Sequence, residues 1–141
     1  MYKKIVLIFV VSLFVLGCGE KSNIISGGKS SYSMDVCGNE ILKNPDHKKI
    51  SVALLKLSSN SCGKDSFIVI ALDSDEQTYA QTAYDKDENK FSLEYQDGSI
   101  DKHFQSVSNL NFTEILNVLV GYSSTSNLWD QNIEWKRIQI K

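Results

Sequence analysis

The chain has 141 residues, 42% hydrophobic and 23% charged, with a single Pro. That composition suits one globular domain and excludes a disordered, collagen-like or coiled-coil chain. Fifteen basic residues against 17 acidic ones give a net charge of −2, so no cationic excess exists to neutralise phosphates, and nucleic acid is not an expected partner.

Met1 to Lys4 is a short positive start, and Ile5 to Leu16 follows as an apolar run broken only by Ser12. This is the length of a signal-peptide core, whereas a spanning helix needs about 20 residues. The run closes on Val15-Leu16-Gly17-Cys18. Charge, apolar run, small residue and cysteine in that order resemble the bacterial lipobox. The resemblance implies a signal peptide over 1–17, cleavage before Cys18 and lipidation of its thiol. A plain signal peptide with an incidental cysteine, or an uncleaved anchor, is the alternative. Position 19 is Gly, not the Asp that commonly signals inner-membrane retention in such lipoproteins. The analogy therefore implies the periplasmic face of an outer membrane, with the inner membrane or a Gram-positive cell surface as alternatives. Acyl chains contribute about 0.8 kcal/mol per buried CH₂, so a triacylated Cys18 makes the lipid bilayer a lasting partner. Cleavage removes Lys3 and Lys4 and no acid, taking the charge to about −4.

Gly19 to Met34 holds five serines and three glycines, so residues 18–34 read as the lipidated cysteine and a flexible tether. Residues 35–141 read as a single domain. Cys37 and Cys62 remain, and two cysteines in an exported chain suggest one disulfide. Closing that loop is worth roughly 3.5 kcal/mol on the chain-entropy formula. A metal site is the alternative, but His47 and His103 do not stand at zinc-ligand spacings from the cysteines. Neither metal nor cofactor is expected.

Asn44-Pro45-Asp46 predicts a helix start, and Ile50, Ala53, Leu54 and Leu57 then fall on one helical face. A β reading of that stretch stays open beside it. Phe67–Leu72 predicts a buried strand, Gln77–Tyr84 a second, and the alternation of Phe91, Leu93 and Tyr95 a third. Asp97-Gly98 signals a two-residue hairpin, with Ser99–Val107 returning antiparallel. Asn111 caps a second helix with Glu114 as its reciprocal partner, Phe112, Ile115, Leu116 and Leu119 form its apolar face, and Gly121 closes it. Ile133–Ile140 ends the chain as a strand, with a bulge or change of face between Trp135 and Ile138. The expected fold is α+β: helix, four-strand meander, helix, strand, an antiparallel sheet of about five strands with helices on one face.

From Gln77 onward the ordered pieces Gln81-Thr-Ala83, Leu93-Glu-Tyr95, Asp97-Gly-Ser99, His103-Phe104, Ile115 to Tyr122, Trp129 and Glu134-Trp135 resemble small α+β domains of bacteria, some of them immunity proteins of toxin systems. The resemblance implies a protein partner and no catalytic residues. A leader and a cysteine pair depart from cytoplasmic members and imply a target met in the periplasm.

The residues themselves offer several candidates. One turn carries Asp73, Asp75 and Glu76, and another carries Asp85, Asp87 and Glu88, opposed only by Lys86. Such turns can steer a basic partner, although charged turns commonly serve solubility alone. The strand between them places them at opposite ends. Asp85-Lys-Asp87-Glu-Asn89 begins like a calcium loop, but Lys90 and Gln96 replace the required Gly and Glu. His103 would need a carboxylate partner, with Glu94 or Asp101 as candidates. Tyr122 and Trp129 flank the loop Ser123–Asn127 and suit either partner anchors or the edge of a core. Without a catalytic motif, the expected function is a lipid-anchored, non-catalytic binding module. An immunity or inhibitor protein against a periplasmic toxin or hydrolase is its most concrete form. The rivals are a structural accessory of the outer-membrane envelope and an enzyme acting on envelope polymers.

Overall fold

A computed structural model describes residues 30–63 and 66–139. The leader with Cys18, and the tether up to residue 29, lie outside the described residues. The chain forms strands β1 (Tyr32–Val36) and β2 (Glu40–Lys43), helix α1 (His47–Ser58), strands β3 (Phe67–Leu72), β4 (Asp75–Asp85) and β5 (Lys90–Gln96). A short 3₁₀ turn (Ile100–Lys102), strand β6 (His103–Ser106), helix α2 (Phe112–Ser123) and strand β7 (Trp135–Arg137) complete it. The strands make one antiparallel sheet in the order β2-β1-β3-β4-β5-β6-β7.

The α+β class and the two helices agree with expectation, but the sheet has seven strands where about five were expected. The difference is the hairpin β1–β2. Residues 32–34, read as the end of the tether, open β1, and Tyr32 and Met34 are buried. Serine-rich composition hid a period-two pattern in which Tyr32, Met34 and Val36 point inward while Ser33 and Asp35 point outward. Cys37 (φ 61°) and Gly38 (φ 69°) are both left-handed, the backbone of a type I′ turn between twisted strands.

Other details move for equally local reasons. Asp46 caps α1 by accepting the Lys49 N–H at 2.8 Å, so Pro45 precedes the cap and does not occupy the first turn. Asp97-Gly98 does not make a two-residue hairpin. The chain needs six residues there, with Asp97 N–H bonded to the Lys102 carbonyl. Gly121 does not end α2, which runs on to Ser123. A Cβ on Gly121 would sit 3.0 Å from Trp129 Cβ, so the glycine lets the 124–133 loop close onto the helix. Trp135 pairs with Ser106, and the Ile138 N–H reaches the His103 carbonyl, so the parity shift is a change of face within a continuous register.

Both helices pack on one side of the sheet. Ile50, Ala53, Leu54 and Leu57 of α1 and Ile115, Leu116, Leu119 and Tyr122 of α2 cover Met34, Val36, Ile68, Ile70, Ala80, Phe91 and Leu93. Phe112, expected on that apolar face, is half-buried. The Asn111–Glu114 capping box forms as expected, satisfying two orphan N–H groups at the start of α2. Cys37 and Cys62 are joined in a disulfide with their Cα atoms 5.2 Å apart, tying the end of β1 to the segment after α1. No helix among the described residues is long and apolar enough to cross a membrane.

Candidate functional site

The acidic turns sit at opposite ends of β4; the register slip opposite Ala71 and Leu72 takes up Glu76 to Thr78, so about seven steps of about 3.3 Å separate them, roughly 23 Å. They form no single patch, as the strand between them suggested. Asp73 is engaged within the molecule. Its carboxylate accepts from Ser31 Oγ at 2.6 Å, from Ser33 Oγ and from Lys43 Nζ at 3.1 Å. Those three donors hold its carboxyl down at about 2. Asp75 accepts from the Gln77 N–H and the Thr78 hydroxyl. Asp85 accepts from the N–H groups of Asp87 and Glu88, and Glu88 accepts from the Asn109 amide. Glu76 and Asp87 stay exposed in their turns. Among the described residues no group of three or more His, Cys, Asp or Glu could hold a metal ion.

Tyr122 and Trp129 belong to an aromatic cluster with Tyr32, Tyr95 and Trp135. Neighbouring rings meet edge-on or tilted at 5.0–6.2 Å. Tyr122 is buried and its hydroxyl has no partner among the described residues; burial pushes its ionisation well above the ordinary phenol range. Tyr95, desolvated and close to Asp97, is pushed up to about 12. The cluster seals the β5–β6–β7 side of the core; Trp129 is its half-buried rim.

Among the described residues, no helix packs on the side of the sheet away from α1 and α2. Register lines its side chains up in rows. One row crosses all seven strands: Ile41, Asp35, Val69, Gln81, Glu94, Gln105 and Lys136. A second contains Lys43, Ser33, Ala71, Tyr79, Gln96 and His103. Phe67, Ala83 and Ser92 make a third. Most of these side chains are half-buried, lying against neighbours on the sheet with their outer surface bare, and Ile41 is 62% exposed. These rows mix aromatic, aliphatic, amide and carboxylate groups on one face of the sheet.

Toward the β7 edge of this face His103 Nε2 meets Glu94 Oε2 at 3.2 Å, which selects Glu94 over Asp101 as the partner. The Tyr79 ring stands edge-on to the imidazole, and burial together with the Glu94 charge raises its phenol's ionisation. His103 Nδ1 is buried and has no hydrogen-bond partner among the described residues, so neither ring nitrogen is presented to an incoming group as a base. The two edges of the sheet are poor sites for an added strand. β2 and β7 are four and three residues long, and both carry cations.

Sequence reasoning missed this face because it missed the two strands that begin it. The signal was present in the alternation Tyr32, Met34, Val36 against Ser33, Asp35. A concavity of about 810 Å³ lies on the helix side between Val52 and Leu55 of α1, Tyr84 and Phe112. The chain matches no family model, and no curated protein or solved structure is significantly similar to it.

Proposed function

We propose that this chain is a lipid-anchored envelope protein, held on the periplasmic face of an outer membrane through acylated Cys18, that works as a non-catalytic binding module. Its most concrete form is an immunity or inhibitor protein that covers a toxin or hydrolase arriving in the periplasm. The observation carrying this reading is the uncovered sheet face, where seven strands present a broad surface of mixed polarity on a rigid core. The buried Nδ1 of His103 and the engagement of its Nε2 with Glu94 support positioning over proton transfer. The single disulfide suits an oxidising compartment.

Deleting the gene and challenging the strain with toxins secreted by its siblings tests the reading. Loss of survival is expected, and protection returns with the wild-type gene. Val69→Arg, in the middle of the open face, is expected to abolish protection while circular dichroism and export stay normal. Unchanged survival of the deletion strain, joined to antibiotic leakiness without any competitor, would replace this reading with a structural accessory of the envelope.

A further inference from the structure

Resting on the proposal that the open face docks a protein, we infer that its partner is a basic surface carrying two cationic side chains about 14 Å apart, seated at Asp35 and Glu94. Asp35 on β1 and Glu94 on β5 lie in the same cross-sheet row. Three strand spacings of about 4.8 Å separate them, roughly 14 Å. Between them stand Val69 and Gln81, one aliphatic and one amide, so the strip offers an apolar and hydrogen-bonding floor with a carboxylate at each end.

Both carboxylates have spare acceptor capacity. Asp35 accepts one N–H, that of Gly38 at 2.9 Å. Glu94 meets His103 through one oxygen and keeps the other. Among the described residues no Lys or Arg pairs with either acid. Lys43, in the adjacent row of this face, is held by Asp73 and Ser33. A charge-complementary partner therefore supplies the missing cations. A second copy of this chain sets Asp35 against Glu94 about a two-fold between the acids and repels; a two-fold through Gln105 would instead set Glu94 against Lys136, and sedimentation tests that dimer.

The test uses the mature lipoprotein in detergent micelles and three disulfide-cyclised β-hairpin peptides as probes. The first carries two arginines four residues apart on one face, about 14 Å in extended chain. The second carries glutamines at those positions, and the third carries arginines two residues apart. Titration calorimetry at low salt is expected to show the first binding about tenfold tighter than the others. Asp35→Asn and Glu94→Gln should each weaken it about three- to fivefold, within the range of half-exposed ion pairs, and raising the salt should weaken it further. Equal affinity for all three hairpins, no binding of the first, or sedimentation showing a stable dimer would overturn the assignment. Gln81→Trp fills the middle of the strip and leaves both acids in place. If it blocks the first hairpin while Asp35→Asn and Glu94→Gln change nothing, the face is a docking surface and the cation assignment fails. If Gln81→Trp leaves binding intact, the open-face reading fails with it.

Discussion

The two faces of the sheet share the same seven strands and the same backbone hydrogen bonds, yet their side chains do different work. On the covered side Met34, Ile68, Ile70, Ala80 and Leu93 are fully buried under two helices. On the open side their immediate chain neighbours, Ser33, Val69, Ala71, Gln81 and Glu94, keep part of their surface bare. Stability is concentrated on one side, and the other side is free to vary in chemistry. Apolar area removed from water contributes about 25 cal/mol per Å², so a side chain half in water gives only part of that and can be traded for a polar group at low cost.

The sharpest test of this division substitutes near neighbours on opposite faces. Leu93→Ala leaves a cavity in the core and is expected to cost about 2–5 kcal/mol of unfolding free energy. Val69→Ala removes a smaller, half-exposed group and should cost about 1 kcal/mol or less. Urea unfolding followed by circular dichroism measures both. Similar losses would mean that the open face carries as much of the stability as the covered one.

The next effect concerns how the first hairpin is held. On the helix side its turn is fixed by the Cys37–Cys62 disulfide, both cysteines being buried. Replacing both cysteines by serine is expected to lower stability by about 3 kcal/mol, from the restored freedom of the open loop in the unfolded chain and the polar groups left in an apolar site. Hydrogen exchange should show β1 and β2 losing protection first. Uniform loss across the sheet would mean that the hairpin and the rest unfold as one unit.

The covered face was the more legible one, for a physical reason. Burial imposes a period on the sequence, so the helical spacing of Ile50, Ala53, Leu54 and Leu57 and the alternation around Leu93 announce themselves. The Asn111–Glu114 box marks a helix start because two orphan backbone donors need those side chains. The disulfide was legible because Cys37 and Cys62 are the two cysteines left in a chain whose leader reads as an export signal. The open face lacks such a period, since half-exposed positions accept Ser, Gln, Ala or Tyr alike. Its rows exist only once the register of seven strands is known, and β1 opens in residues 32–34, whose serine-rich surroundings read as the end of a tether. Gly121 shows the same limit. A glycine near a helix end suggests a stop signal, and only the approach of Trp129 explains it as a packing site.

A smaller effect sets the open-side clasp of the hairpin against the disulfide. Ser31, Ser33 and Lys43 converge on Asp73, where they stabilise the carboxylate and hold its ionisation near pH 2. In the unfolded chain Asp73 titrates at its ordinary value near 3.8. The folded state thus binds the proton less tightly, and its stabilisation is fully present above pH 3.8 and disappears as pH falls toward 2. Wild-type stability should therefore decline across that window, while Asp73→Asn should start lower at pH 7 and depend less on pH there. Because the clasp is exposed to water, the effect should be smaller than that of the disulfide and confined to protection of β1 and β2 in hydrogen exchange. If Asp73→Asn instead leaves the acid profile unchanged, these hydrogen bonds add nothing to stability, and the hairpin is held from the helix side alone.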